Sequence, residues 1–214
     1  MFHGRWAAGA FAWVVATGVS LPAFASNLNL RLQSGGSSFI TVAPGTPVPW
    51  AVVGELSDDL NEGLALFSVD LEWSGGALSP AAAPATNPML NFARPAGVNN
   101  PAGFGGTTSA GRLLQVGGAQ NTINSLFAPY PIGTVITGVA WPGQPVALAA
   151  GQVTAPTQPG TYVLSASNPV ANVIRQGETG TPFWRVEKAL PGNMTFLIVQ
   201  VTADVPDARG RGRR

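Results

Sequence analysis

An acidic stretch, SDDLNEGLALFSVDLEW at residues 57–73, holds half of the ten acidic side chains of this 214-residue protein. Its first part carries four side chains with hard oxygen atoms, Asp58, Asp59, Asn61 and Glu62. Calcium prefers carboxylate and amide oxygens, so these four residues are the candidate metal ligands. Their spacing departs from the D-x-[DN]-x-[DN]-G pattern of a calcium loop, which leaves a polar turn ending at Gly63 as the competing interpretation. Calcium is the one cofactor that the sequence leaves open.

Two more carboxylates, Asp70 and Glu72, stand two residues apart in the second part of this stretch. On one face of a strand they would lie about 7 Å apart, a separation found between the acid and the base of glycoside hydrolases. Catalytic pairs normally flank a cleft, however, and neighbouring carboxylates on an exposed strand are ordinary solvated residues. The alternative function is therefore a small carboxylate-dependent glycoside hydrolase that uses Asp70 or Glu72 with an acidic loop partner, Asp58 or Glu62.

The alternation around these carboxylates predicts the strand that positions them. One face would carry four apolar side chains, Phe67, Val69, Leu71 and Trp73. The other face would carry three polar ones, Ser68, Asp70 and Glu72. A strand with this pattern has one face in the core and the other in water.

The same period of two recurs along the chain, in LNLRLQ, VPWAVVGEL, GTYVLSAS, VANVI and TFLIVQVTA, with turn signals such as NP and PGN between these segments. Long amphipathic helical patterns are missing after the N-terminal segment, so the sequence predicts an all-β fold, a two-sheet antiparallel sandwich. One or two short helical caps are predicted in loops. One covers residues 89–93 after the N-cap candidate Asn87 and Pro88, and the other lies within residues 121–131.

The first 25 residues have the pattern of a secretory signal peptide, with Arg5 before an apolar stretch and Ala23-Phe24-Ala25 as a small-residue cleavage site. We therefore expect a signal peptide at residues 1–25, one β-sandwich domain at residues 26–205 and a disordered basic tail at residues 206–214. No later segment is long and apolar enough to span a membrane. The expected location is periplasmic, secreted or on the surface of a bacterial cell.

Cleavage of this leader would remove His3, the only histidine, and the chain has no cysteine. The mature protein would then lack the side chains for a Ser-His-Asp triad, a Cys-His pair, or a His-ligated or thiolate metal site. Residues 26–208 carry six basic and ten acidic side chains, a net charge of minus four. A nucleic-acid-binding fold needs a basic face, so no nucleic-acid partner is expected.

Three aromatic residues are the candidate ligand-binding side chains, Trp141, Phe183 and Trp184. Trp141 ends the predicted strand TVITGVAW, directly before Pro142 and Gly143. Phe183 and Trp184 are consecutive, so in an extended chain one of the two rings must point away from the core. An exposed ring of this kind can stack on a sugar or pack against a protein partner.

Over residues 28–205 the order of motifs resembles that of cohesin-like domains, within the wider group of carbohydrate-binding-domain-like sandwiches. Three segments carry the resemblance. The family's early strand is similar to VAPGTPVPWAVVGEL, and its late strand is similar to APTQPGTYVLSAS. The family's strand ahead of a leucine-containing corner is similar to LALFSVDLEW, which is followed here by GGAL. Ser74-Gly75-Gly76 stands where the family often has an aromatic-Asp-Pro step. The resemblance implies a nine-stranded jelly-roll sandwich with a noncatalytic role. The favoured function is a secreted interaction module that binds an extracellular protein or polysaccharide at the cell surface.

Overall fold

The computed structural model describes residues 26–58, 63–82, 92–93, 105–120, 140, 142–176 and 184–203. These residues form eleven β-strands and no helix, so none of the described segments is a helix able to cross a bilayer. The strands are β1 (Asn27–Gln33), β2 (Phe39–Val42), β3 (Pro47–Leu56), β4 (Leu64–Trp73), β5 (Phe92–Ala93), β6 (Thr107–Ser109), β7 (Arg112–Gln120), β8 (Val146–Thr154), β9 (Gly160–Gln176), β10 (Trp184–Thr195) and β11 (Leu197–Val201).

The strands pack as two layers joined by one continuous path of hydrogen bonds. In the first layer β1 lies between β10 and β3, and β8 pairs with the other side of β3. In the second layer β4 lies between β7 and β9. Strands β5 and β6 pair with β7. On the other side, β11 pairs with β9, and β2 pairs with β11. The predicted all-β, two-sheet sandwich is confirmed, although the described residues contain eleven strands rather than nine. Most of the pairings are antiparallel as predicted, but β1 pairs with β10 and β11 pairs with β2 in parallel.

The core between the layers is built from the alternating apolar side chains of these strands. In β4 the four predicted core residues are each at most 4% exposed, Phe67, Val69, Leu71 and Trp73. Three leucines of β1 belong to the same buried cluster, Leu28, Leu30 and Leu32. Because one face of β4 is buried in this way, its polar side chains must face outward.

Strand β9 continues through a dipeptide that the sequence analysis interpreted as a turn. Asn168-Pro169 forms a β-bulge instead, because Ser167 pairs with Asp70 while Val170 pairs with Ser68. Asn168 adopts a φ of 51°, a left-handed conformation that asparagine tolerates better than most residues. GTYVLSAS and VANVI are therefore parts of one strand of seventeen residues, bent at the bulge.

Strand β10 changes partner along its length and connects the two layers. It pairs with β9 as far as Ala189 and with β1 from Leu190 onward. The PGN segment at residues 191–193, predicted as a turn, lies inside this strand. Gly192 suits this position because a Cβ atom there would come within 3.0 Å of the Leu28 carbonyl oxygen and of the Asn29 side-chain oxygen.

The prediction of a helical turn at residues 89–93 is wrong at its C-terminal end. Phe92–Ala93 is the short strand β5, which pairs with Gln120 and Ala119 of β7. The edge of β7 that faces away from β4 offers backbone hydrogen-bonding groups to Phe92–Ala93. Pairing with these groups overrides the weak local preference of the two residues for helix. Residues 83–91 and the second predicted cap, at residues 121–131, lie outside the described residues.

Gly117 of β7 lies at a close approach between β7 and β4. A Cβ atom at this position would fall within 3.0 Å of the Phe67 carbonyl oxygen and the Ser68 Cα, both of which are backbone atoms. Because a central strand cannot move aside without loss of ladder hydrogen bonds, we expect Gly117→Ala to lower the free energy of unfolding by about 2–3 kcal/mol. Equilibrium urea unfolding measures this loss.

The matched control for this variant is Gly160→Ala in β9, where an added Cβ would meet no atom closer than 3.6 Å. We expect the control to leave the free energy of unfolding within about 0.5 kcal/mol of the parent value. Equal losses in the two variants would show that the close approach at Gly117 is unimportant.

Candidate functional site

The outer face of β7, β4 and β9 presents polar side chains from three adjacent strands. The buried alternation of β4 places Ser68, Asp70 and Glu72 on this face, as the sequence predicted. Asp70 is half-buried in the middle of the face, whereas the Glu72 side chain is 60% exposed. We call this surface the β7-β4-β9 face.

Asp70 is flanked by β-bulges on both neighbouring strands. On the β7 side, Val69 pairs with Val116 and Leu71 pairs with Leu113, so two residues, Leu114 and Gln115, lie across from the single residue Asp70. On the β9 side the bulge is the one at Asn168. Gln115 and Asn168 have φ values of 58° and 51°, so a left-handed residue stands on each side of the carboxylate. Such bulges bend a strand and redirect its side chains.

The carboxylate of Asp70 holds both bulges in place. Its Oδ1 atom accepts a hydrogen bond from the backbone N–H of Gln115 at 2.8 Å, and its Oδ2 atom accepts one from Nδ2 of Asn168 at 2.8 Å. A left-handed conformation costs a residue other than glycine about 1–2 kcal/mol, and hydrogen bonds to an ionised carboxylate are strong enough to offset this cost. Asp70 is therefore a positioning residue for the surface around it.

A pocket of about 490 Å³ opens on this surface beside Asp70. The described residues that line it are Ser68, Asp70, Thr107, Leu114, Gln115, Asn168 and Val170. Asp70 is the only charged residue in this lining. Val170 is 48% exposed despite its apolar side chain, so the pocket combines an apolar wall with a fixed carboxylate.

Arg112 and Glu72 form a second polar group on the same face. The Arg112 Nε atom lies 3.5 Å from Glu72 Oε2, and Nη2 of the same residue donates a hydrogen bond to Ser167 Oγ at 3.1 Å. These contacts connect β7 with both β4 and β9. They also occupy Arg112. The other two basic residues with described side chains, Arg31 and Lys188, do not lie at salt-bridge distance from Asp70.

The carboxylates of the alternative hydrolase are not assembled around a cleft in the described part of the chain. Asp70 and Glu72 lie on one strand face, as the sequence predicted, and the described lining of the pocket beside Asp70 holds no second carboxylate. Asp58 contacts Ser26, directly before β1, and Ser57, directly after β3. Glu62 lies outside the described residues.

Asp58 is the only one of the four candidate calcium ligands that the structure describes. Its carboxylate accepts hydrogen bonds from Ser26 Oγ at 3.1 Å and from Ser57 Oγ at 3.0 Å. Gly63, which ends the segment, has the predicted positive φ, at 100°. The other candidates, Asp59, Asn61 and Glu62, lie outside the described residues. Over the residues that can be assessed there is no metal-binding group of three acidic, histidine or cysteine side chains, and calcium binding stays a prediction.

The three aromatic candidates also stay predictions. Trp141 and Phe183 lie outside the described residues, and Trp184 is described only through its backbone pairing with Gln176 at the start of β10. The turn after Trp141 is fixed, because the Gly143 backbone N–H donates a hydrogen bond to Glu55 Oε1 at 2.7 Å.

The sequence analysis did not single out Gln115, Asn168 or Val170, although the chain carried a signal for two of them. Along β9 the buried positions change parity, from Leu164 and Ala166 to Ala171 and Val173. A change of parity within one apolar run requires one extra residue, which is a bulge. In β7, Leu113 and Val116 are both buried with two residues between them instead of one, and this spacing indicates the bulge at Gln115.

No protein-family model matches this chain, and no curated protein matches it. Among solved structures it is similar to the seventh ScaB type I cohesin from Pseudobacteroides cellulosolvens, with 12% sequence identity and a TM-score of 0.54 over 87% of this chain and 99% of that one. Two further structures are similar at lower TM-scores. They are the sixth cohesin of scaffoldin B from Acetivibrio cellulolyticus, in complex with a mutant Cel5 dockerin (17% identity, 82% and 99% coverage, TM-score 0.44), and a non-cellulosomal cohesin from Archaeoglobus fulgidus (8% identity, 82% and 91% coverage, TM-score 0.42). The chain has a cohesin-like β-sandwich fold.

Proposed function

We propose that this protein is a secreted, noncatalytic interaction module that binds another protein through the β7-β4-β9 face. The observation that carries the proposal is the pocket beside Asp70, which is built by two strained bulges on either side of one carboxylate. Backbone strain of this kind clusters at binding surfaces and persists only where surrounding contacts hold it. Here the two hydrogen bonds to Asp70 supply those contacts.

The composition of this face favours a protein partner over a polysaccharide. Val170 is an exposed aliphatic residue, and the half-buried Leu114 lines the same pocket. Polar groups held by hydrogen bonds stand among them. Protein interfaces combine an apolar centre with a few oriented polar groups in this way. The described lining of the pocket includes no aromatic ring on which a sugar could stack.

A capture experiment tests the class of ligand. The full-length protein is immobilised and exposed to concentrated culture medium of the source organism, and in parallel to a panel of insoluble polysaccharides. We expect one protein to be retained, to be identified by mass spectrometry, and to bind again in solution after purification with a fixed stoichiometry. Retention on a polysaccharide, with no protein that binds in solution, would overturn the proposal.

We propose further that the module acts at the cell surface. Two features of the sequence support this location: the leader pattern at residues 1–25, and the four arginines among the last six residues of the C-terminal segment DARGRGRR. A basic tail is attracted to anionic envelope polymers, and salt screens this attraction. We expect deletion of residues 209–214 to lower the cell-associated fraction at low salt and to leave it unchanged at high salt. Fractionation and immunoblotting measure this fraction, and equal fractions at low salt would contradict the surface attachment.

A further inference from the structure

We propose that the pocket beside Asp70 is a subsite for one cationic side chain of the partner, a lysine or an arginine. This inference rests on the proposed protein-binding function and adds the chemistry of the group that enters the pocket. It is carried by the charge of Asp70, the geometry of its hydrogen bonds and the apolar wall next to it.

Of the basic side chains that the structure describes, Arg31, Arg112 and Lys188, none lies at salt-bridge distance from Asp70. The other carboxylate on this strand face, Glu72, already lies 3.5 Å from Arg112, and Arg112 is also held by its hydrogen bond to Ser167. Residues 26–208 carry a net charge of minus four. The four arginines of the C-terminal tail offset this charge over the whole chain, so it is the local charge of Asp70 that attracts a cation.

The hydrogen bonds to Asp70 orient its carboxylate without removing its charge. Both donors are neutral, the backbone N–H of Gln115 and the side-chain amide of Asn168. A carboxylate offers about four acceptor positions, and each of these bonds uses one position on a different oxygen. One position therefore stays available on each oxygen for a charged donor. A lysine ammonium can use one of them, and an arginine guanidinium can use both.

The walls of the pocket suit the alkyl part of a basic side chain. Lysine and arginine lay their methylene groups along apolar surface and keep the charged head at a polar group. Val170 and Leu114 supply that surface, while the hydroxyl groups of Ser68 and Thr107 line the same pocket. The volume of about 490 Å³ lies within the range of pockets that hold small ligands, so one side chain can enter.

The test uses N-acetyl-lysine methylamide as the probe and the full-length protein labelled with 15N. The NMR cross peaks of the Gln115 backbone amide and of the Asn168 side-chain amide report on the pocket. We expect both peaks to move in a saturable way with the lysine probe. The control probe is N-acetyl-norleucine methylamide, which has the same alkyl chain without the ammonium group. Sodium chloride is added to the control so that both samples have the same ionic strength. We expect the control probe to bind about fivefold more weakly, which is the upper range of the contribution of an exposed ion pair.

Asp70→Asn removes the charge and retains both contacts. The new amide oxygen can accept from Gln115, and a half-turn of the Asn168 amide lets its oxygen accept from the new NH2 group. We expect the dissociation constant of the lysine probe to rise about fivefold and that of the norleucine probe to stay unchanged. The matched control is Glu72→Gln, which makes the same change in net charge outside the pocket lining and should not alter the binding of either probe.

Three results would overturn the cationic subsite: no saturable movement in the parent protein, equal lysine binding in Asp70→Asn, or an equal loss in Glu72→Gln. The probe needs no partner protein, so this experiment is independent of the capture experiment. If the probe fails while a captured protein binds the β7-β4-β9 face, only the subsite is wrong. If the probe binds and no protein does, the subsite stands and the proposed function is wrong.

Discussion

Phe67→Ala is expected to lower the free energy of unfolding by about 3–5 kcal/mol. Phe67 is 1% exposed and heads the largest fully buried side chains of the described core. Its removal takes an aromatic ring out of a packed cluster to which both layers contribute, and the cost combines lost burial with the cavity that remains. Because domains of this size are stable by about 5–15 kcal/mol, this single change removes a large part of the total.

Equilibrium urea unfolding of the full-length protein measures this loss. The control is Phe39→Ala in β2, because Phe39 is 53% exposed. We expect the control to change the free energy of unfolding by no more than about 0.5 kcal/mol. Similar losses in the two variants would mean that Phe67 does not sit in the tightly packed core.

Val170→Lys is expected to weaken binding of the partner protein at least about tenfold, the effect typical of a change at the centre of an interface. Val170 forms the exposed apolar wall of the pocket beside Asp70. A lysine in its place removes that wall, brings its own ammonium group to the Asp70 carboxylate and repels the incoming cation of the partner. All three consequences act against binding.

Isothermal titration calorimetry with the purified partner measures this change in affinity. The matched control is Thr154→Lys, which adds the same charge at an exposed position of β8 in the first layer. Val170 is 48% exposed, so its replacement should leave the unfolding temperature nearly unchanged, which separates binding from folding. Equal affinity of Val170→Lys and the parent protein would contradict the proposed interface.

The elements with a simple local pattern were predictable from the sequence. The alternation of β4 placed Phe67 in the core and Asp70 outside, because a period of two fixes both faces of a strand that is buried on one side. Gly63, directly before this strand, has the positive φ that the sequence predicted for it. Local residue chemistry was sufficient for these features.

The features that depend on distant pairing were not predictable in the same way. PGN at residues 191–193 has turn chemistry, yet it lies inside β10 because the partners of that strand come from β9 and β1. The role of Asp70 depends on Gln115 and Asn168, which are 45 and 98 residues away along the chain. Strand order decides which bulges meet this carboxylate, and a single sequence does not specify that order.

Site-specific photo-cross-linking tests the central claim most directly, namely that the β7-β4-β9 face contacts the partner. p-Benzoylphenylalanine is incorporated at Val170 in one sample and at Thr154, which is exposed on β8 in the first layer, in another. After irradiation with the purified partner, the account predicts a covalent adduct from position 170 and none from position 154. An adduct from position 154 alone would contradict it and would place the interface on the opposite layer.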